Sequence, residues 1–309
     1  MANRMWAATK AAAMYYGLLL MSTIGRRIPL RRGQALGRRI GTLAWHVVWS
    51  ERRKALRHLA IAFPELDSAG RRRIAKAMFQ HLGMCLLEIA WLPNVSSASR
   101  AETTVIEGAP ELLEMLDSGT GVIIFTAHCG NWEWLSYITG TLGRPVSVLQ
   151  RERNEAQVNR LIAEIRARAG VHTIDRGSLG SAREMILALR RRGILAFVLD
   201  QNIRTESVMV PFFGRPAPTP IGPVNFAVRT EAAVCVGFIE RRADGMQYAH
   251  FTRPVRCQRS DDPVALAATI TSLIEEQIRR VPEQWVWMHD RWKVRPQWEV
   301  DPVTLKKGR

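Results

Sequence analysis

The chain has little cysteine, few acidic residues for its basic ones, and no apolar run of spanning length. Its 309 residues hold four cysteines, at positions 85, 129, 235 and 257, with no Cys-x-x-Cys spacing. That pattern suggests neither a thiolate zinc site nor a dithiol redox motif. Cys85 and Cys235 lie in apolar runs and read as core residues of a protein from a reducing compartment. The seven histidines never pair at ligand spacing, so no metal and no cofactor is expected. No internal repeat or low-complexity tract appears. Against 28 Asp and Glu stand 44 Lys and Arg, a net charge of +16 carried mostly by arginine. Such an excess points to an anionic partner (nucleic acid, anionic lipid or an acidic protein) without choosing among them. A hydrophobic content of 47% excludes a disordered chain.

What is present begins with an apolar segment from Ala11 to Ile24, preceded by Arg4, Trp6 and Lys10. It is shorter than the roughly 20 residues a spanning helix needs. A dense basic series follows, from Arg26 and Arg27 through Arg38 and Arg39 to Arg57. Residues 1–30 are therefore expected to form a membrane-anchoring or interfacial helix at an anionic leaflet. A cleaved signal peptide and an ordinary packed amphipathic helix are the rival readings.

Residues 31–309 read as one α/β domain, helical over 31–104 and sheet-containing over 105–309. One helix ends near Pro64, and Asp67 or Ser68 caps the next, which runs to about Trp91. Apolar runs at 121–127, 145–149, 171–174, 194–199, 233–239 and 248–254 suit strands. Helical patterns at 154–168, 181–191 and 263–280 alternate with them. The fold class is α/β, a mostly parallel sheet flanked by helices. Residues 203–220, with Pro211-Phe-Phe-Gly-Arg-Pro-Ala-Pro218, read as a long irregular loop lining a site.

The stretch Gly121-Val-Ile-Ile-Phe-Thr-Ala-His128-Cys-Gly-Asn-Trp-Glu133 reads as a buried strand, a turn and the start of a helix. Such a junction delivers side chains to the carboxyl edge of a parallel sheet, where open α/β folds place their sites. His128 is the natural base for an alcohol, and Glu133 can orient it and stabilise its charged form. Equally, a histidine satisfied by local backbone and a glutamate at a helix start would need no chemistry. Cys129 points away from its neighbour along an extended chain and reads as a small buried residue. Asp200 and Gln201 end a second apolar strand and should reach the same edge. Arg166 and Arg168 near a helix end suit phosphates or carboxylates, or simply the helix dipole. The segment from Pro282 to Lys293, with Trp285, Trp287, Trp292, His289 and Arg291, admits three readings: base stacking, a membrane interface, or a plug that closes the domain.

Taken together, these segments resemble one family, the late acyltransferases of bacterial lipid A biosynthesis, with the related acyltransferases of phosphatidylinositol mannosides. The resemblance rests on His128-Cys-Gly-Asn-Trp-Glu133 as a His-x4-Asp/Glu motif, on Arg166-Ala-Arg168 before Ile174-Asp-Arg176, and on Asp200-Gln201. Pro211-Phe-Phe-Gly214, Pro282-Glu-Gln-Trp-Val-Trp287 and Arg291-Trp-Lys293 complete it, in order along nearly the whole chain. The chain departs from the family at His58, where Asn is frequent, and at Asn202, where a second acid is frequent. The resemblance implies transfer of a fatty acyl group from a thioester, on acyl carrier protein or CoA, to a glycolipid hydroxyl at the cytoplasmic face of the inner membrane. It implies His128 and Glu133 as catalytic residues, Arg166, Arg168, Asp200 and Gln201 as substrate-binding or supporting ones, and no nucleic-acid partner.

Overall fold

In the computed structural model, residues 27–96, 99–151, 156–293, 298–300 and 304–307 are described. The expected amino-terminal helix lies outside them as far as residue 26. Among the described residues no helix is long and apolar enough to cross a membrane.

Among the described residues three helices come first: α1 (Leu30–Val47), α2 (Trp49–Ala62) and α3 (Ser68–Trp91). Asp67 caps α3 as its sequence suggests, its Oδ1 accepting from the Gly70 amide at 2.7 Å. α1 and α3 touch backbone to backbone through glycines. A Cβ on Gly41 would lie 2.1 Å from the Phe79 carbonyl oxygen, and one on Gly83 would lie 2.1 Å from that of Gly37.

From Thr104 onward strands alternate with helices: β1 (Thr104–Glu107), α4 (Ala109–Asp117), β2 (Val122–Thr126), α5 (Trp132–Gly140), β3 (Val146–Arg151), α6 (Ala156–Ala167), β4 (Val171–Arg176), α7 (Ser181–Arg190) and β5 (Ile194–Val198). The chain continues with β6 (Ser207–Phe212), β7 (Arg215–Pro220), α8 (Gly222–Thr230), β8 (Ala233–Arg241), β9 (Gln247–Phe251), the two-residue β10 (Val255–Arg256) and α9 (Pro263–Arg280). Two short strands follow, β11 (Trp298–Val300) and β12 (Thr304–Lys307). The main sheet runs β1-β9-β8-β2-β5-β3-β4, with β10 beside β8. Its pairs are parallel except β8 with β9 and β8 with β10.

β2 sits inside this sheet, and all five of its residues are buried, which is why its sequence is an unbroken apolar run. Ile123 and Phe125 belong to one core with α8 and α9, whereas Val122 and Ile124 belong to another with α5. The chain therefore leaves β2 on one face of the sheet and leaves the adjacent β5 on the other. This is a topological switch point, where the carboxyl ends of two strands open a crevice.

The expected irregular loop is instead the β6–β7 hairpin of a second, antiparallel sheet ordered β11-β12-β6-β7. Its prolines explain the misreading. Pro216, Pro218 and Pro220 stand opposite Pro211, Met209 and Ser207, alternating with the pairs that exchange hydrogen bonds, so no ladder donor is lost. Phe213 and Gly214, both with positive φ, make the two-residue turn.

Candidate active site

The register between β2 and β5 brings the two polar strand ends together. Thr126 pairs with Val198, and His128 and Asp200 each stand two residues beyond. The His128 backbone N–H donates to Asp200 Oδ2 at 2.8 Å, and its Nδ1 lies 2.8 Å from Oδ1. The indole N–H of Trp285 donates to the same Oδ2 at 2.7 Å. Asp200 is fully buried in its side chain. Burial alone would raise its pKa, but the charge and hydrogen bond of His128 and the Trp285 bond outweigh that and hold it at about 2. An ionised carboxylate only accepts, so Nδ1 carries the proton of that bond, which turns Nε2 to the other side of the ring.

The turn after His128 is fixed tightly. Gly130 has φ +66°, and a Cβ there would lie 1.7 Å from the Ile239 carbonyl oxygen, so only glycine fits against β8. Asn131 caps α5 by accepting from the Trp134 amide at 3.1 Å. Glu133 follows in the first helical turn. Its carboxylate is held by Arg166 in a bidentate pair, Nε to Oε2 at 2.8 Å and Nη2 to Oε1 at 2.7 Å. Arg166 also donates to Gln150 Oε1 at 2.8 Å, and Gln150 donates to Asp175 at 3.1 Å.

His128, Glu133, Arg166 and Gln201 line one cavity of about 700 Å³. Leu149, Ile162, Met185, Phe197 and Phe226 line it as well. Polar and apolar side chains thus share one chamber, a combination suited to a ligand with a reactive polar end and a hydrocarbon body.

The carboxylate bonded to the imidazole is therefore Asp200, and Glu133 is clamped by Arg166. Asp200 lies beneath His128, away from the cavity wall, so it supports the site from behind. Gln201 reaches the cavity: its Nε2 lies 3.1 Å from His128 Nε2 and 2.7 Å from His289 Nε2. Arg168 is exposed and is not among the residues lining the cavity. It stands two positions on from Arg166, just past the helix end and about 200° round it, so its side chain leaves on the other side from the chamber.

Cys129 is buried and unoxidised, and burial followed by nearby carboxylates pushes its thiol pKa far up, which removes it as a nucleophile. Spacing along the chain singles out no catalytic role for His289, yet it lines the cavity beside His128, their ring centroids 5.6 Å apart. Burial lowers its pKa, favouring the neutral ring. The aromatic segment from Pro282 is a plug: Trp285 and Trp287 are fully buried and pack edge to face at 4.6 Å, and Arg291 is fully buried among them. Buried indoles cannot stack on bases.

Among the described residues no cluster of His, Cys, Asp or Glu could hold a metal ion. The family model described as bacterial lipid A biosynthesis acyltransferase matches residues 4–294. The chain is 28% identical over 265 residues to the lipid A biosynthesis palmitoleoyltransferase of Escherichia coli (strain K12), covering 84% of this chain and 85% of that one. It is 28% identical over 266 residues to the lipid A biosynthesis lauroyltransferase of the same organism, covering 85% of each. A phosphatidylinositol mannoside acyltransferase of Mycobacterium tuberculosis (strain ATCC 25618 / H37Rv) is 26% identical over 226 residues, 70% of this chain and 69% of that one. With a match spanning nearly its whole length, the chain belongs to the bacterial lipid A biosynthesis acyltransferase family and is an acyltransferase.

Proposed function

We propose that this protein moves a fatty acyl chain from a thioester, carried by acyl carrier protein or CoA, to a hydroxyl of a lipid A precursor, at the cytoplasmic face of the inner membrane. The observation that carries this reading is the Asp200–His128 pair, whose imidazole opens on a cavity of about 700 Å³ with apolar as well as polar walls. His128 Nε2 takes the proton of the acceptor hydroxyl as its oxygen attacks the thioester carbonyl. The C–O bond forms, the C–S bond breaks, and the leaving thiolate takes the proton back from the imidazolium. Asp200 holds the Nδ1 proton and stabilises the imidazolium. Gln201, with its amide nitrogen 3.1 Å from Nε2, occupies the position an acceptor hydroxyl would take. The Glu133–Arg166 pair contributes polar wall to the chamber, and the amino terminus of α5, which follows His128 by a short turn, can stabilise negative charge developing on the carbonyl oxygen. Such a transfer requires no enzyme nucleophile.

Attachment to the membrane fits α1. Leu36, Ile40, Leu43 and Val47 form one stripe, about 90° round the helix from the glycines packed on α3, and Leu43 and Val47 are each 65% exposed. Arg32, Arg38 and Arg39 are exposed on the same helix. An apolar stripe flanked by guanidinium groups suits an anionic leaflet, and the net charge of +16 suits an acidic carrier protein as well.

The test is an acyl-transfer assay on purified protein with lauroyl–acyl carrier protein and a lipid A precursor. His128→Ala and Glu133→Ala should each lose transfer by at least about 10²-fold while still fractionating with membranes. Wild-type rates in His128→Ala would contradict the reading.

A further inference from the structure

Behind the turn that carries His128 and Glu133 lies a second polar cluster, which the acyl-transfer chemistry does not use. Glu88 of α3 has no exposed surface, yet its carboxylate accepts from five donors. Oε1 accepts from Gln34 of α1 at 2.8 Å, Arg241 Nε at 2.6 Å and Gln247 of β9 at 3.0 Å. Oε2 accepts from Arg241 Nη2 at 2.6 Å and Asn131 Nδ2 at 2.9 Å. A buried ion pair gains little net stability over apolar packing, because desolvation of both charges offsets their attraction. What this pair adds is direction, since four elements converge on one carboxylate.

Asn131 is the member that matters. Its Oδ1 caps α5 at the Trp134 amide while its Nδ2 is held by Glu88. The helix cap is thus itself oriented from outside the helix. The same framework grips the preceding residue: Gly130 donates its amide to the Gln284 carbonyl at 2.9 Å. The Gln284 side chain bonds the Arg241 backbone in both directions, at 2.9 Å each. The two ends of the turn, His128 and Glu133, face the cavity from a segment whose middle is pinned to the Glu88–Arg241 pair.

We infer that Glu88, acting through Asn131, is a positioning residue for acyl transfer: it sets the turn that aims His128 and Glu133 into the cavity. This rests on the functional reading above. Displacement of a catalytic group by about 1 Å can cost about 100-fold in rate, and a loss confined to the transition state appears in kcat with KM little changed.

Two single variants separate the link from the cap. Asn131→Ser keeps a capping oxygen but is too short to reach Glu88; Asn131→Asp keeps the cap and sets a carboxylate against Glu88. With lauroyl–acyl carrier protein and a lipid A precursor, each should lower kcat roughly ten- to hundred-fold with KM little changed. Thermal unfolding of Asn131→Ser, expected close to wild type, separates a lost aim from a lost fold. Wild-type kcat in both single variants, or a fall in kcat matched by loss of the folded state, would overturn the positioning role. His128→Ala, assayed alongside, separates the two claims. If it is inactive while Asn131→Ser has wild-type kcat, the positioning role alone fails; if it is active, the functional reading fails and this inference with it.

Discussion

At the scale of single residues, the site depends on which carboxylate meets the imidazole. In sequence, Glu133 is the near acid and Asp200 a distant one. In space, the parallel register of β2 and β5 makes Asp200 the direct partner of His128 Nδ1, at 2.8 Å. Short-range spacing could suggest the His128–Glu133 grouping, but register is set by which strands are neighbours, and that is non-local information. Asp200→Asn should preserve the fold yet lower kcat by about 10²–10⁴-fold, through loss of the fixed tautomer and of charge stabilisation. It also has a signature in stability. Asp200 titrates at about 2 in the folded state against a reference of 3.8, so its contribution is present above about 4 and lost as pH falls toward 2. The stability gap between wild type and Asp200→Asn, followed by denaturant unfolding, should therefore narrow over that interval. A gap that stays constant would mean that the native carboxylate is not held ionised.

At the scale of elements, periodicity carried most of the fold. The apolar runs at 121–127 and 194–199 became β2 and β5, and α9 runs Pro263–Arg280 as its stripe implied. What escaped was structure whose logic lies in a partner. β1 is short and half polar, and becomes a strand by pairing with β9. β7 carries three prolines, which argue against a strand until its register puts them at positions that donate nothing. The α1–α3 contact is likewise invisible without its partner, since glycines four residues apart admit several readings. Gly41→Ala places a methyl group 2.1 Å from a backbone oxygen, and neither helix can yield without moving the other. It should cost about 1–3 kcal/mol or more, read as a lowered midpoint in thermal or denaturant unfolding. An unchanged midpoint would mean that these helices do not pack as described.

At the scale of the whole molecule, one side is built for chemistry and another carries an apolar stripe among cations. The charge of +16 was open to nucleic acid, lipid or an acidic protein. Burial of Trp285 and Trp287 takes two of the three tryptophans in that segment out of reach of a base. Exposure of Leu43 and Val47 beside the α1 arginines favours lipid. Leu43→Asp with Val47→Asp should weaken co-sedimentation with phosphatidylglycerol-containing vesicles several-fold and leave soluble-donor thioester turnover intact, since neither residue touches the cavity. Binding equal to wild type would move the contact elsewhere. The central claim, a His128-dependent acyl transfer to a lipid A precursor, is tested most directly by mass spectrometry of membrane glycolipids. Cells producing the wild-type chain are compared with cells producing His128→Ala. The account predicts one additional ester-linked acyl chain on a lipid A species with the wild type and none with the variant. The same added chain with both proteins, or no change in any glycolipid with either, would contradict it.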